Sequence, residues 1–466
     1  MEIDIKYLSI QNPWWLGGTL KYDPILENYD QQELKYRPQI LDEIELNKKS
    51  IYILRGPRGC GKTIILKLII QNLIERHGVN PKNILYYSCH NISSYEQLNE
   101  IIKIFLADSK TRANKDKLYI FIDEITLVKH WEKGIEYLRR AGLFGNSELI
   151  LSGSMLSEPK VSAEFLNHKS YRQLIVPTLS FREFLYSLNP DLEQSFVFGK
   201  VNQGQFGKLD YYLDIYFLTG GFLGAIDNYK KFSAVKQNIY SNFIYWLIAD
   251  IAKMGRDLVL FRQVLEKVIF NLGKPLGYKT ITHKTKAKTH LTAEEYIKIL
   301  EKMLVLKVVY QTGGGETIRK SKAKKIFFLD PFLFWTFYSY IYGSLNYWQF
   351  SRISLYQEDI FSSLVKNLVF CQLIKNRQTY DGLSDITFWR DNIKKSEIDF
   401  LVRVNKKQVP ILIRYNNKIT EQDRKMFSQA GFDEGVIVSK SILDLDGKIK
   451  TVPLSYFLLR YNDFLK

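Results

Sequence analysis

A glycine-rich segment near the amino end of the chain has residue types that bind phosphate. Residues 56–63 fit the pattern G-x-x-x-x-G-K-[ST]; the apolar run "IYIL" precedes them and the helical pattern "IILKLIIQNLIERHG" follows. Glycines let backbone N–H groups converge on phosphate oxygens, and the following helix points its positive end at the same place. The residues predicted to bind a nucleoside triphosphate are Gly56, Pro57, Arg58, Gly59, Cys60, Gly61, Lys62 and Thr63.

Two of these side chains and two carboxylates supply the chemistry. Lys62 places a positive charge toward the β and γ phosphates, and the Thr63 hydroxyl can ligate Mg²⁺. The strand pattern "KLYIFIDEITLV", residues 117–128, contains a carboxylate pair after its apolar run. Asp123 is predicted to hold the water shell of Mg²⁺, and Glu124 to act as general base on the attacking water.

Three further strands are predicted around these residues. "NILYYSC" (83–89) lies between the phosphate loop and the carboxylate pair, and "SELILSGS" (147–154) and "YRQLIVP" (171–177) follow. This order is typical of the additional-strand branch of P-loop ATPases. Ser152 or Ser154, at the end of the fourth strand, would be the polar residue that senses the γ phosphate, and Ser152 is assigned to the catalytic set. An ordinary serine in a strand-to-loop turn is the alternative.

The composition predicts a globular protein of about three domains in a reducing compartment. The chain has 466 residues, and its three cysteines show no metal-ligand spacing. Cys60 lies within the phosphate loop, either as an oxidation-sensitive thiol or as a small side chain. The apolar segment 326–343 is interrupted by Asp330 and Pro331, so we expect a buried helix rather than a membrane span. With no signal-peptide pattern at the amino end, the predicted location is intracellular and cytoplasmic.

The chain resembles the archaeal and bacterial AAA+ ATPases of the AAA_14 kind, in which a winged helix and a nuclease-like domain follow the ATPase core. The resemblance extends over most of the chain and is strong to about residue 185. The resemblance depends on "RGPRGCGKT", "FIDEITLVKHW", "LILSGS" and "PTLSFREFL", in this order. It implies ATP as the nucleotide, Mg²⁺ as its cation and a strand order of 5-1-4-3-2. The family's Gly-Arg pair before the last motif is missing, so Arg172, Arg139 and Arg140 are open candidates for an arginine finger, with solvated surface arginines as the alternative.

The middle of the chain is predicted to form a helical lid, residues 186–250, and a winged helix, residues 251–345. The formal net charge of the chain is +17, and residues 251–330 hold seventeen Lys or Arg against seven Asp or Glu, a net of +10. Two helices, the second with a capping box that starts at Thr292, and a basic hairpin follow one another here. The winged helix would bind DNA; packing on the ATPase core or on a protein partner is the alternative. The predicted phosphate contacts are Lys284, Lys286, Lys288, Arg319, Lys320, Lys322, Lys324 and Lys325.

The last segment, residues 346–466, resembles PD-(D/E)XK nuclease-like domains. Asp399 matches the first acid of that family, but Leu412 and Arg414 stand where its second acid and lysine would be, and Lys366 replaces a helix glutamate. Without these acids the domain is predicted to be catalytically degraded. Glu397, two residues before Asp399 on the same strand, leaves a shared metal site open as an alternative.

The predicted fold class is therefore α/β: a P-loop AAA+ additional-strand core (1–185), a helical lid, a winged helix and a restriction-endonuclease-like α/β domain. The predicted function is Mg²⁺-dependent binding and hydrolysis of ATP, with the nucleotide state controlling basic domains that act on DNA. Two alternatives remain: a nucleotide-dependent switch or scaffold for a protein partner, and an ATP-powered nuclease. A homo-oligomer is also open, and no membrane role is expected.

Overall fold

The chain forms two units, Met1–Pro177 and Thr178–Lys466. The four segments predicted from the sequence are a finer division, which stays a prediction. The computed structural model describes residues 4–17, 20, 23–34, 36–46, 50–111, 116–154, 171–192, 203–312, 323–343, 345–375, 386–391, 393, 396–404, 407–416 and 418–465.

The first unit is built on a parallel five-stranded sheet with the order β2-β3-β4-β1-β5. This is the predicted order 5-1-4-3-2 written from the other edge, so that prediction is confirmed. Short apolar runs form these strands because helices cover both faces of the sheet and leave only the strand ends for polar residues. The strands are β1 Ile51–Arg55, β2 Ile84–Ser88, β3 Leu118–Asp123, β4 Ser147–Gly153 and β5 Tyr171–Ile175.

Alternate strand residues of the first unit enter two apolar clusters on opposite faces of the sheet. Tyr87 and Ile122 belong to one cluster, whereas Tyr86 and Phe121 belong to the other. Neighbouring residues on one strand therefore face different helices. The helices of this unit are α1 Ile5–Ser9, α2 Pro24–Asp30, α3 Lys62–Glu75, α4 Tyr95–Thr111 and α5 Trp131–Arg140.

An amino-terminal segment lies along the outer edge of β2. The Asn12 side chain accepts a hydrogen bond from the Tyr86 N–H at 2.7 Å and donates one to the Tyr86 carbonyl at 2.9 Å. Gln11 accepts from the Ser88 N–H at 2.7 Å. The indole N–H of Trp15 donates to the Ile84 carbonyl at 2.8 Å. Side chains thus take the place of a further strand.

The second unit contains twelve of the described helices, with an aromatic helix in its core. The predicted helix within 326–343 forms as Pro331–Tyr342, and the Asp330 carboxylate caps its start by accepting from the Phe332 N–H at 2.9 Å. Among the described residues, no helix combines the length and the apolar character that crossing a bilayer requires. The helices are α6 Phe181–Leu188, α7 Gln203–Thr219, α8 Leu223–Phe232, α9 Gln237–Lys253, α10 Leu258–Phe270, α11 Tyr278–Thr282, α12 His290–Lys302, α13 Pro331–Tyr342, α14 Tyr347–Leu355, α15 Glu358–Lys375, α16 Glu421–Gln429 and α17 Leu454–Phe464.

A mixed seven-stranded sheet, with the order β12-β11-β10-β9-β8-β6-β7, runs through the second unit. The hairpin predicted as a wing forms as an antiparallel pair of β6 and β7, and β6 also pairs in parallel with β8. Strands predicted in two separate segments therefore share one sheet. The strands are β6 Leu306–Thr312, β7 Lys324–Phe328, β8 Ile386–Arg390, β9 Glu397–Val404, β10 Lys407–Arg414, β11 Gly435–Ser439 and β12 Ile449–Pro453.

Helix α12 begins one turn earlier than the sequence predicts. Thr289, not Thr292, is its N-cap, and the Thr289 side chain accepts from the Thr292 N–H at 3.3 Å. The predicted capping box does not form because Thr292 lies inside the helix, and the Glu295 carboxylate pairs with Arg256 at 2.8 Å.

Candidate functional site

The phosphate loop connects β1 to α3 and needs glycine at specific positions. Gly59 and Gly61 have φ values of 79° and 99°, which favour glycine. At Gly56 the restriction is space, because an added Cβ would lie 2.3 Å from the Val176 carbonyl oxygen. The side chain of Cys60 is buried, and burial raises the pKa of its thiol. That thiol is therefore a poor nucleophile, which favours the interpretation of Cys60 as a small packing residue.

Lys62, the first residue of α3, directs its side chain back over the loop. Its Nζ donates to the carbonyl oxygens of Gly56 at 3.0 Å and Pro57 at 3.1 Å. The same atom lies 3.8 Å from the Glu124 carboxylate. The ammonium group is thus held inside the loop, where an anionic group would find a buried positive charge.

Asp123, the last residue of β3, accepts hydrogen bonds on both carboxylate oxygens. Thr63 Oγ1 at 2.7 Å and the Tyr86 hydroxyl at 2.9 Å donate to Oδ2. The Ser152 hydroxyl and the Glu124 N–H donate to Oδ1. Only 2% of Asp123 is exposed, so these donors replace water around a buried acid.

Glu124 has a backbone conformation that is unusual for its residue type. Its φ of 50° lies in the left-handed region, which is strained for a residue other than glycine. Ser154 Oγ donates to Glu124 Oε2 at 2.9 Å, and the Ser152 hydroxyl accepts from the Glu124 N–H at 3.2 Å. Both serines that the sequence suggests as γ-phosphate sensors, Ser152 and Ser154, therefore contact Asp123 or Glu124.

The oxygen donors of this site fit Mg²⁺. The Thr63 hydroxyl gives its proton to Asp123 and keeps its lone pairs for a cation, and both groups are the hard ligands that Mg²⁺ prefers. Within the described ranges, no group of three or more His, Cys, Asp or Glu side chains is placed to hold a metal ion. One carboxylate and one hydroxyl suit a cation that takes its other ligands from phosphate and water.

The structure brings together Lys62, Thr63, Asp123, Glu124 and Ser152, whose roles stay predictions. Sequence reasoning did not single out Tyr86, which contacts the same carboxylate. Its only sequence signal was its place in the second strand, where its neighbour is also a tyrosine.

The three arginines considered as fingers lie in ion pairs with acids of the same unit. Arg139 and Arg140 lie 2.7 Å and 2.6 Å from the Glu136 carboxylate. The hydrogen bond from Arg139 lowers the pKa of Glu136 to about 2, and Arg140 adds to this effect. Arg172 lies 3.8 Å from Glu45. These acidic partners favour surface arginines over an arginine finger at all three positions.

The basic residues predicted to contact phosphate fall into three groups. Lys284, Lys286 and Lys288 are exposed between α11 and α12. Arg319, Lys320 and Lys322 lie outside the described residues. Lys324 is only 8% exposed, and Lys325 is fully buried in β7. The prediction of a DNA contact is wrong for Lys325 because its ammonium group is bound inside the protein.

Lysines neutralise Glu397 and Asp399, the two acids of the last segment that were considered for a metal site. Lys325 Nζ lies 2.6 Å from Glu397 and 3.3 Å from Asp399, and Lys366 Nζ lies 2.7 Å from Asp399. Asp399 also accepts from the Ile413 N–H at 2.9 Å. A metal shared by Glu397 and Asp399 is therefore not supported, since two ammonium groups already compensate the two carboxylates.

Three family models match parts of the chain. Residues 48–185 match AAA_14, an AAA domain. Residues 211–339 and 361–457 match two domains of unknown function, DUF8612 and DUF4143. The first match and the strand order of the parallel sheet agree on an AAA-type P-loop domain in this part of the chain.

Relatives extend over most of the chain at low identity. An uncharacterised protein of Methanocaldococcus jannaschii is 23% identical and covers 97% of both chains. One of Haemophilus influenzae is 24% identical over 81% of this chain and 83% of its own. Among solved structures, Aeropyrum pernix ORC1 in complex with DNA has a TM-score of 0.29 at 12% identity, covering 65% of this chain and 94% of its own. The Thermotoga maritima RuvB branch migration motor has a TM-score of 0.30 at 14% identity, covering 64% and 92%. TM-scores of this size carry no conclusion.

Proposed function

We propose that this protein binds and hydrolyses ATP with Mg²⁺ and that its nucleotide state controls a basic second unit that binds DNA. The observation that carries the ATPase proposal is the convergence of Lys62, Thr63, Asp123 and Glu124 in one buried cluster. Lys62 and Thr63 follow β1, and Asp123 and Glu124 lie at and just after the end of β3; these two strands flank β4 in the parallel sheet. Such strand ends are where open α/β sheets bind ligands.

Each residue has a distinct part in hydrolysis. Lys62 would exchange the carbonyl oxygens of Gly56 and Pro57 for phosphate oxygens, because a buried ammonium binds an anion more strongly than a neutral carbonyl. Glu124 would take a proton from the attacking water. Its carboxylate is only 3.8 Å from Lys62 Nζ, so the base and the phosphate-binding cation lie within one small region.

Mg²⁺, when bound, would neutralise charge on the phosphate oxygens. Thr63 and Asp123 are the residues that would hold it. Ser152 fixes Asp123 through its hydroxyl and accepts from the Glu124 N–H, so it contacts both acidic residues. This position suits a residue that senses the γ phosphate.

Two substitutions test the ATPase proposal. Lys62→Ala is expected to weaken ATP binding about 100-fold or more, because a buried charge contact is worth about 2–5 kcal/mol. Glu124→Gln is expected to keep ATP binding and lower the turnover rate about 10²–10⁴-fold. Lys129→Ala, which removes an exposed lysine of the same unit, is the matched control. Normal turnover by Glu124→Gln would show that another group is the base.

The DNA proposal is supported by the charge of the second unit. Lys284, Lys286 and Lys288 stand exposed at alternate positions of one connection, and the chain carries a net charge of +17. Exposed cations of this density bind polyanions. ATPase rates measured with and without double-stranded DNA, single-stranded DNA and RNA would show whether, and by which polymer, hydrolysis is stimulated.

A further inference from the structure

The phenol of Tyr86 is one of the two donors on a single oxygen of Asp123. Its Oη lies 2.9 Å from Oδ2, and Thr63 Oγ1 lies 2.7 Å from the same atom. Only 4% of Tyr86 is exposed. The phenol therefore contacts the carboxylate assigned to Mg²⁺ without facing solvent.

The backbone of Tyr86 is held from outside the sheet. Asn12 bonds both its N–H, at 2.7 Å, and its carbonyl, at 2.9 Å. Both polar groups of one residue are thus fixed by one amide side chain. Because Asn12 is fully buried, water does not compete for these bonds.

The ring of Tyr86 is held by a buried cation. Lys67 Nζ lies 3.4 Å from the ring centroid and 2.8 Å from the Asp23 carboxylate. Lys67 and Asp23 are each only 2% exposed. Burial lowers the pKa of Lys67, and the Asp23 carboxylate opposes this shift. A cation over the ring face also withdraws electron density, which makes the phenolic O–H a better donor to Asp123.

We propose that Tyr86 is a positioning residue that orients the Asp123 carboxylate for the Mg²⁺–nucleotide, with Asn12, Lys67 and Asp23 fixing the phenol. This inference rests on the proposed function. Oδ2 accepts from the hydroxyl that would ligate the cation, so a turn of the carboxylate would disturb both groups. The phenol prevents that turn. Loss of a hydrogen bond behind a metal ligand commonly weakens metal binding about 10–100-fold.

The test compares Tyr86→Phe with Tyr87→Phe. Each variant loses one hydroxyl from adjacent buried residues of β2, and Tyr87 faces the opposite apolar cluster. Binding of a fluorescent, non-hydrolysable ATP analogue is measured in EDTA and across a Mg²⁺ titration. Tyr86→Phe is expected to raise the Mg²⁺ concentration at half-saturation about tenfold or more and to leave the affinity in EDTA unchanged. Tyr87→Phe is expected to change neither value.

Asn12→Ala gives an independent variant that keeps the phenol. It removes both backbone bonds to Tyr86 and is expected to shift the Mg²⁺ titration in the same direction. Thermal unfolding of every variant monitors the fold.

Three outcomes separate the two proposals. If the native chain binds the analogue but all variants share its Mg²⁺ titration, Tyr86 does not position Asp123. If Tyr86→Phe loses affinity equally in EDTA, its part is structural and the inference is overturned. If the native chain binds no analogue in either buffer, the proposed function itself fails.

Discussion

The Lys366 ammonium group lies 2.7 Å from the Asp399 carboxylate, at the helix position where the resemblance to PD-(D/E)XK domains predicts a glutamate. Lys325 approaches the same carboxylate at 3.3 Å and pairs with Glu397 at 2.6 Å. Glu397 and Asp399, the two acids considered for a metal site, are therefore bound to lysines of the same unit. The surroundings of Glu397 and Asp399 are thus occupied by fixed cations.

We expect no Mg²⁺- or Mn²⁺-dependent cleavage of supercoiled plasmid, with or without ATP. Cleavage of a phosphodiester needs carboxylates that can gather metal charge, and here Lys325 and Lys366 compensate Glu397 and Asp399. Agarose gels that resolve nicked from supercoiled DNA give the measurement. Nicking that disappears in Asp399→Ala would contradict the expectation and restore the ATP-powered nuclease.

Lys325→Met should destabilise the second unit by about 3–5 kcal/mol, because it removes a fully buried cation, so that Glu397 loses its nearest partner and buried Asp399 keeps Lys366 alone. Lys425→Met is the matched control. Its partner Glu421 lies 2.8 Å away, but both side chains are more than 60% exposed, so the expected cost is below about 1 kcal/mol. Denaturant unfolding followed by circular dichroism measures both free energies. Equal costs would show that the buried pairs contribute no more than an exposed one.

The ionised Asp399 carboxylate should contribute to the free energy of unfolding near neutral pH, and this contribution should be lost in acid. Burial opposes ionisation of Asp399, but Lys366 and Lys325 outweigh it and hold the pKa of this carboxyl well below its usual range. A lowered folded-state pKa gives stability that is complete above the unfolded pKa of about 4 and is lost as the pH falls toward the folded value. The free-energy difference between the native chain and Asp399→Asn should be constant from about pH 5 to 7 and shrink below about pH 4. If the difference between the native chain and Asp399→Asn persists below about pH 4, the lost stability comes from packing and not from the charge of Asp399.

Replacing Lys284, Lys286 and Lys288 together by alanine should weaken DNA binding and flatten its salt dependence. Each lost phosphate contact lowers the slope of log affinity against log salt by about 0.9, so the triple variant should lose about 2.7. Fluorescence anisotropy of a labelled duplex over a salt series measures the slope. The control triple, Lys425, Lys440 and Lys448 to alanine, removes exposed lysines elsewhere on the second unit. If the DNA affinity of the native chain does not change with salt concentration, DNA is not its target and a protein partner is favoured.

The phosphate loop could be predicted from the sequence because its chemistry is local. Lys62 and Thr63 follow glycines whose backbone geometry sets the loop, and the carboxylates at 123 and 124 end an apolar strand. Tyr86 could not be singled out, because its bond to Asp123 exists only once β2 and β3 are neighbours.

The buried lysines show a second kind of limit. Lys325 follows Lys324 in a basic run, which usually indicates a solvated surface, but its side chain meets Glu397 and Asp399, more than seventy positions along the chain. Such long-range pairings decide whether a lysine is buried, and residue patterns along the chain do not contain them.

The amino-terminal segment also limits how copies of the first unit can associate. An edge strand with free N–H and C=O groups invites another strand to pair with it. Along β2 the Ile84 carbonyl, both polar groups of Tyr86 and the Ser88 N–H are already bonded to side chains of residues 11–15. Strand addition at this edge would have to displace these bonds first, so assembly through a continuous intermolecular sheet is blocked there.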